Sequence, residues 1–491
     1  GEVYNNLLRN KGLLLKSGTA MRNAILGSGD EKLIQLFENW IQVKQEVAKL
    51  YALPIQERTA DPVELEKKAN ELEISLVKSS SEFSDFEKSL RIEWTDVKHG
   101  LKQGEAAIEF TNFTHGRDSV LYCALIITTD CENPWMVPLF EERQLVNILG
   151  SYAGNNYQYI NSVYGKNNQP NTALYDIIWR PMEQYLKDID NIYISPGGLL
   201  HKVSFSALCT GENSYIIDHC NLFLLSTTAK VTSMEKFLVD GETTFGLFGG
   251  ITYSTIPASG ETWNYLKGTL DETLMIDGLL KELFSHVELI TDTLATEERF
   301  KSLAPQCQAL HLATHGFFFP DPEEIKMAVE SVTEEGEVEF RGGTPNFGYN
   351  NFVQNQNPLM RSGLVFAGVN DYWGGAKAVT GDDGVLTALE VINIDLRKNK
   401  LVVLSACETG LGDIAGSEGV YGLQRAFKMA GTNFLIMSLW QVPDKETSEF
   451  MQTFYSLLTQ DKDLQKAFTQ TQNIMRQQYD PYFWAAFVLL E

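Results

Sequence analysis

The chain has 491 residues, more than one ordinary core holds, and at about 100–200 residues per domain it implies two to four packed units. Its 44% hydrophobic and 21% charged content is that of a folded globular protein and excludes a disordered one. The net charge of -24 excludes nucleic acid as a direct partner, because phosphate attraction depends on clustered Lys and Arg, and leaves proteins or peptides.

No apolar run approaches the roughly 18 residues of a membrane span, and no charged n-region followed by an apolar h-region opens the chain. The chain therefore reads as cytoplasmic, with no membrane partner. It begins with Gly1 rather than Met, which reads as a trimmed chain or a fragment with its upstream part missing. The cysteines Cys123, Cys131, Cys209, Cys220, Cys307 and Cys407 form no CxxC and no framework spacing. They read as free thiols in a reducing compartment, with no metal site and no cofactor expected.

Leu33, Leu36, Trp40, Val43, Val47 and Leu50 recur at steps of three and four, the stripe of a helix that buries one face. A second stripe runs through Leu65, Ala69, Leu72, Leu76, Phe83, Phe86 and Leu90, after Asp61 and Pro62, which suit a helix start. The linker "ALPIQERTADP" is short enough to fold the two into an antiparallel hairpin. This hairpin is either a packing arm or the end of a helical repeat array, although no period of 34 residues is visible.

Residues 105–130, "EAAIEFTNFTHGRDSVLYCALIITTD", alternate around a polar turn and predict a β-hairpin, where a smaller α/β unit starts. "NIYISPGGLLHKVSFSAL" at 191–208 adds a strand and a tight Pro-Gly-Gly turn. From about residue 240 the strands "TFGLFGGIT", "HVELITD", "ALHLATH", "LVVLSAC" and "NFLIMSLW" alternate with helices over 276–284, 295–303 and 418–430. That order predicts an α/β fold with a mostly parallel sheet covered on both faces. Residues 320–358 are acidic, then rich in Asn and Gly, and read as a long mobile flap near the active edge.

Ligands of such sheets sit at the carboxyl ends of strands, and there stand His315, closing "HLATHG", and Cys407, closing "LVVLSAC". Amide hydrolysis by a thiol needs a sulfur nucleophile, a base that later protonates the leaving amine, and donors for the oxyanion. Cys407 supplies the sulfur, His315 the base, and the backbone N–H groups of Gly316 and Cys407 the oxyanion hole. The competing reading makes Cys407 an ordinary buried cysteine and His315 a structural histidine.

A second "THG" at 114–116 puts His115 in the hairpin turn, where it reads as structural. His311 and His315 have the i, i+4 spacing of a zincin helix, but Leu312 stands where the general base belongs and the context is a strand. His311 is expected to pack inside the sheet. No G-x-S-x-G elbow supports a serine hydrolase, and "GLFGG" at 246–250 lacks a P-loop's GK[ST]; a close strand-to-strand or strand-to-helix contact explains it.

The blocks "ISPGGLLHKVSFSAL", "YIIDHCNLFLLSTT", "LFGGITY", "HLATHGFF", "NPLMRSGLVFAG", "GDDGVLTALEVINIDL", "LVVLSACETGLGD", "GSEGVYGLQRAFKMAGTNFLIMSLWQVPD" and "PYFWAAFVLL" follow in family order. In them the sequence resembles the CHAT family, caspase-like cysteine peptidases of the clan that also holds caspases, gingipains and separase. The resemblance covers about residues 95–491. It implies a helical arm over 1–95, a smaller non-catalytic, pseudo-catalytic α/β subdomain over 96–240, and a caspase-like catalytic subdomain over 241–491. It also implies His315 and Cys407 as the dyad of a cysteine endopeptidase acting on protein or peptide substrates. Many relatives carry tetratricopeptide repeats upstream, so the arm resembles the last part of such an array and is a place for an activating protein partner.

In separase-like relatives an acidic residue contacts a basic residue just before the cut bond, and Asp444 is similarly placed. Local sequence favours another role for Asp444, capping the helix that "KETSEFMQTFYSLL" predicts. Glu418 either lines the pocket or sits in a helix's first turn. The alternative to an enzyme is a catalytically silent caspase-like scaffold that binds other proteins.

Overall fold

The computed structural model describes residues 1–53, 58–79, 91–116, 119–150, 156–254, 263–322, 352–353, 355–373, 382–406, 410, 412–414 and 420–491. Most of the acidic and Asn/Gly-rich stretch read as a flap lies outside the described residues, as do Cys407, Glu418, and Phe83, Phe86 and Leu90 of the second stripe.

The chain opens with helices α1 (Glu2–Asn10), α2 (Leu13–Gly27), α3 (Glu31–Ala52) and α4 (Pro62–Ser79). Asp30 caps α3 by accepting from Lys32 N and Leu33 N. Asp61 Oδ1 accepts from Val63 N at 2.9 Å, with Pro62 in the first helical position where its missing N–H costs nothing. Leu33, Phe37, Trp40 and Val43 of α3 bury against Ala69 and Leu76 of α4 and Met21 and Ile25 of α2. The hairpin read from the two stripes is present, and α2 adds a third layer to it.

Fourteen strands carry the argument: β1 (Glu105–His115), β2 (Ser119–Thr128), β3 (Trp135–Glu141), β4 (Asn191–Ser195), β5 (Asn221–Leu224), β6 (Phe245–Ile251), β7 (Val287–Asp292), β8 (Ala309–Ala313), β9 (Gly316–Phe318), β10 (Ser362–Val365), β11 (Val385–Thr387), β12 (Leu401–Ser405), β13 (Phe434–Ser438) and β14 (Phe487–Leu490). Later helices are α5 (Lys267–Lys281), α6 (Val369–Trp373), α7 (Ala388–Ile392), α8 (Leu423–Ala430), α9 (Asp444–Asp461) and α10 (Leu464–Met475).

Among the described residues an 11-stranded sheet runs in the order β7-β6-β8-β12-β13-β14-β5-β4-β1-β2-β3. Its neighbours are parallel except at β13–β14, β1–β2 and β2–β3. The expected mostly parallel α/β sheet flanked by helices is thus observed. Strand β14 is antiparallel to β13 and parallel to β5, so one sheet spans both α/β units.

Period-two alternation sorts the hairpin's side chains. Ile108 and Phe110 of β1, with Ala124 and Ile126 of β2, enter one core, whereas Ala107, Leu125 and Ile127 enter a second that Tyr4 and Leu8 of α1 help to close. Strands β8, β12 and β13 are buried at every position, which is why they read as continuous apolar runs.

The "GLFGG" glycines admit α5 at close range: a Cβ at Gly249 would stand 2.5 Å from Thr273 Cγ2 and 2.7 Å from Thr269 O. Helix α5 begins nine residues before the predicted start at 276, with Leu266 at its N-cap. Helix α8 begins at Leu423 rather than 418, since Val420 and Tyr421 form a short strand with Asp413 and Ile414. A smaller sheet, β9-β10-β11, sits over the carboxyl end of β8.

Candidate active site

Strand β8 ends at Ala313, and the next two residues are fixed by the small sheet. Thr314 Oγ1 donates to Val365 O at 2.6 Å and receives the Tyr253 hydroxyl at 2.9 Å, while His315 O accepts from Val365 N at 3.1 Å. The His315 ring lies between Tyr253 and Trp263, with centroids 5.1 and 5.2 Å away.

His315 Nε2 is 2.8 Å from the backbone carbonyl of Asn264. A carbonyl only accepts, so Nε2 carries the proton and Nδ1 keeps its lone pair. Burial lowers the imidazole's pKa; the Asn264 contact and the charge of Asp444 oppose it without reversing it. The ring is therefore a neutral base near pH 7.

Gly316 follows as the first residue of β9, in register with Leu364 of β10.

On the neighbouring strand, Ser405 pairs in register with Ala313. Beyond it, Ala406 O accepts from Ser438 Oγ at 2.7 Å, and Gly410 N donates to Ser438 O at 2.8 Å. Ser438 of β13 thus grips the chain on both sides of 407–409.

A cleft opens at this edge. His315, Thr314, Ser405, Glu272 and Asp444 supply its polar lining, and Leu266, Trp440, Val442 and Phe487 its apolar walls. The capping role expected for Asp444 is not observed. Pro443 takes the N-cap position and its carbonyl accepts from Thr447 N, which makes Asp444 the first helical residue, without a capping bond. Its carboxylate instead faces the cleft with His315. Burial raises the Asp444 pKa, His315 lowers it and Glu272 raises it.

The other candidates fall elsewhere. His311 is fully buried in β8, with Nε2 2.8 Å from Glu272 Oε1 and Nδ1 3.2 Å from the Tyr455 hydroxyl, so it packs inside the sheet as expected. His115 closes β1 opposite Ser119 in the other half of the sheet.

Sequence reasoning missed Asn264, Tyr253 and Trp263, which hold His315, and Asn370, which holds them. Asn370 Oδ1 accepts from Trp263 N at 2.9 Å, its Nδ2 donates to Trp263 O and Ser254 Oγ, and its N donates to Tyr253 O. It missed Glu272 too, whose spacing on α5 reads as an ordinary helical carboxylate.

A histidine with a fixed tautomer, at the carboxyl end of a parallel sheet and beside an acidic cleft, defines a fold and site able to host acid–base chemistry. The family model for the CHAT domain matches residues 168–491, and the chain belongs to this family. Tetratricopeptide repeat protein 28 of Mus musculus and of Homo sapiens are each 22% identical to it over 340 residues, 65% of this chain. That alignment takes in 13% of each relative's length.

Among solved structures, the Saccharomyces cerevisiae separase–securin complex matches with TM-score 0.47 and 9% identity, over 87% of this chain and 32% of that one. The Arg-specific cysteine proteinase gingipain R (RgpB) matches with TM-score 0.38 and 9% identity, over 64% of this chain and 67% of that one. RgpB from Porphyromonas gingivalis, as its pro- and mature domains, matches with TM-score 0.38 and 8% identity, over 64% of this chain and 69% of that one.

Proposed function

We propose that the chain is a cysteine endopeptidase of caspase-like type, in which Cys407 attacks the peptide carbonyl and His315 is base and then acid. His315 Nδ1 takes the thiol proton as sulfur bonds to carbon, and returns it to the leaving amine as the C–N bond breaks. Water then hydrolyses the thioester by the same route in reverse. The backbone N–H groups of Gly316 and Cys407 hold the oxyanion.

The observation that carries this reading is the single-tautomer, neutral His315 at the end of β8. Cys407 follows Ser405 by two residues, as His315 follows Ala313, and Ala313 and Ser405 are register partners on adjacent parallel strands. Asp444, with Glu418, selects a basic residue before the cut bond; the acidic cleft favours this role for Asp444 now that capping is removed.

The same reading divides the chain into an arm over 1–95, a pseudo-catalytic subdomain over 96–240 and a catalytic subdomain over 241–491. It places the protein in the reducing cytoplasm, with the arm, as the end of a tetratricopeptide array, receiving an activating protein and the 320–358 stretch gating the cleft.

The test is a peptide-library digest. Wild type cleaves, Cys407→Ala and His315→Ala do not, and Asp444→Ala changes the residue preferred before the cut. Cleavage surviving in Cys407→Ala would end the dyad reading, and an unchanged preference in Asp444→Ala would remove Asp444 as selector. A chain that binds proteins but cleaves none, with or without an activator, is the adaptor instead.

A further inference from the structure

We propose that Asn370 of α6 is a positioning residue for the base: it fixes the chain that carries the Asn264 carbonyl, and through that carbonyl decides which nitrogen of His315 holds the proton. This rests on the peptidase reading above. Asn370 is not among the described residues that line the cleft, so it acts through its neighbours.

One stretch of chain holds His315 at both ends. Val365 N, in β10, donates to His315 O at 3.1 Å and fixes the backbone. Further along the same stretch stands Asn370, only 1% exposed, and its side chain fixes what surrounds the ring. Its Oδ1 accepts from Trp263 N at 2.9 Å, and its Nδ2 donates to Trp263 O at 2.8 Å. Paired to both backbone polar atoms of one residue, the amide acts as a neighbouring strand would and sets the direction of the chain there. The Trp263 carbonyl belongs to the peptide that enters Asn264, whose own carbonyl meets His315 Nε2 at 2.8 Å. Only the backbone torsions of Asn264 separate the grip from the contact.

The remaining bonds close the other side of the ring. The second Nδ2 hydrogen goes to Ser254 Oγ at 2.9 Å, and Asn370 N donates to Tyr253 O at 3.0 Å. Tyr253 and Trp263 are the two rings that flank His315. Both walls and the proton acceptor of the imidazole therefore hang on one residue. Packing alone leaves Trp263 less precisely placed, because its indole Nε1 is buried without a hydrogen-bond partner among the described residues. A buried amide is costly unless its bonds are made, and here Oδ1 and both Nδ2 hydrogens are used.

The test reads the ring directly and needs no turnover. In the Cys407→Ala chain carrying isotope-labelled histidine, nitrogen NMR near neutral pH reports the protonation of each ring nitrogen, and the His315 signals are those lost on adding His315→Gln. The unaltered ring is expected to carry its proton on Nε2. Asn370→Leu removes every side-chain bond, and the isosteric Asn370→Asp keeps only the acceptor for Trp263 N. In each, the ratio of Nε2–H to Nδ1–H rings is expected to fall about fivefold, the worth of one hydrogen bond. With Cys407 restored, kcat for peptide cleavage should fall at least about fivefold while KM stays within about twofold. A residue that only stabilises the fold would lower the unfolding midpoint and leave the ratio alone.

A proton found on Nδ1 without any change at 370, an unchanged ratio in either folded variant, or failure of both variants to fold overturns the proposal. A ratio that shifts as expected in a protein that cleaves nothing removes the peptidase reading alone and leaves Asn370 as the residue that sets the ring.

Discussion

The backbone carbonyl of Asn264 takes the Nε2 proton of His315 at 2.8 Å, and this one contact decides which ring nitrogen is the base. Burial has already lowered the pKa of that ring. In the proposed dyad the working form is neutral, so peptide cleavage is expected above the shifted pKa and lost as pH falls through it. The acid limb of kcat/KM against pH for peptide cleavage is therefore expected below the usual imidazole value of about 6.5. An acid limb at or above that value contradicts the assignment.

The cysteines described by the structure give a quiet background for a reactive thiol. Burial pushes Cys123 up to about 11 and Cys220 and Cys307 up to about 12, and raises Cys209. A thiol at Cys407 with His315 as its base should take iodoacetamide first, at about pH 6.5 where thiolates of ordinary cysteines are scarce. Mass spectrometry of the native chain is expected to find one modified peptide, abolished in Cys407→Ala and slowed in His315→Ala. Modification spread evenly over several cysteines would count against the dyad.

The parallel half of the sheet was legible because strands buried on both faces must be apolar throughout; "ALHLA" and "LVVLS" could hardly be anything else. The end of β8 was legible for the same reason, since the apolar run stops at Ala313, two residues before His315. What holds His315 was not. A backbone carbonyl carries no residue-type signal, and Asn264 lies 51 positions away.

Asp444 was misread because Asp before a helical stripe matches a cap, while Pro443 takes the N-cap position itself. Nothing in the local sequence marks Lys11 or Arg22 for burial. Both are buried, because partners 98 and 372 residues away close over them.

Arg22 of α2 shows how firmly the arm is tied to α7 and α8. Its guanidinium donates to Ile394 O at 2.6 Å, to Ala430 O at 3.2 Å and to Ile392 O, satisfying carbonyls at the ends of α7 and α8. Arg22→Met takes this donor from the buried Ile392 and Ile394 carbonyls, while Ala430 O keeps Leu396 N, and is expected to cost about 2–4 kcal/mol, with Arg22→Lys recovering part of it. Urea unfolding of the three chains measures this, and a midpoint unmoved by Arg22→Met would contradict it.

Lys11 makes the corresponding anchor in the smaller α/β unit, at the middle of β1 and the carboxyl end of β4. Its ammonium donates to Glu109 Oε1 at 2.6 Å and to Phe110 O and Ser195 O at 3.2 Å each. The other Glu109 oxygen accepts from Thr228 N at 2.9 Å and from the Thr228 hydroxyl. Glu109 is fully buried, and Lys11 is 7% exposed.

Removing one partner of such a pair strands the other charge, so Lys11→Met is expected to destabilise the chain by about 3–5 kcal/mol. Lys11→Met with Glu109→Gln removes the stranded charge while keeping acceptors and donors for Thr228, and should be more stable than Lys11→Met alone. Denaturant unfolding of the single and double variants closes the cycle. A double variant no more stable than Lys11→Met would mean that packing of the lysine stem, rather than charge pairing, anchors α1 and α2 to the sheet.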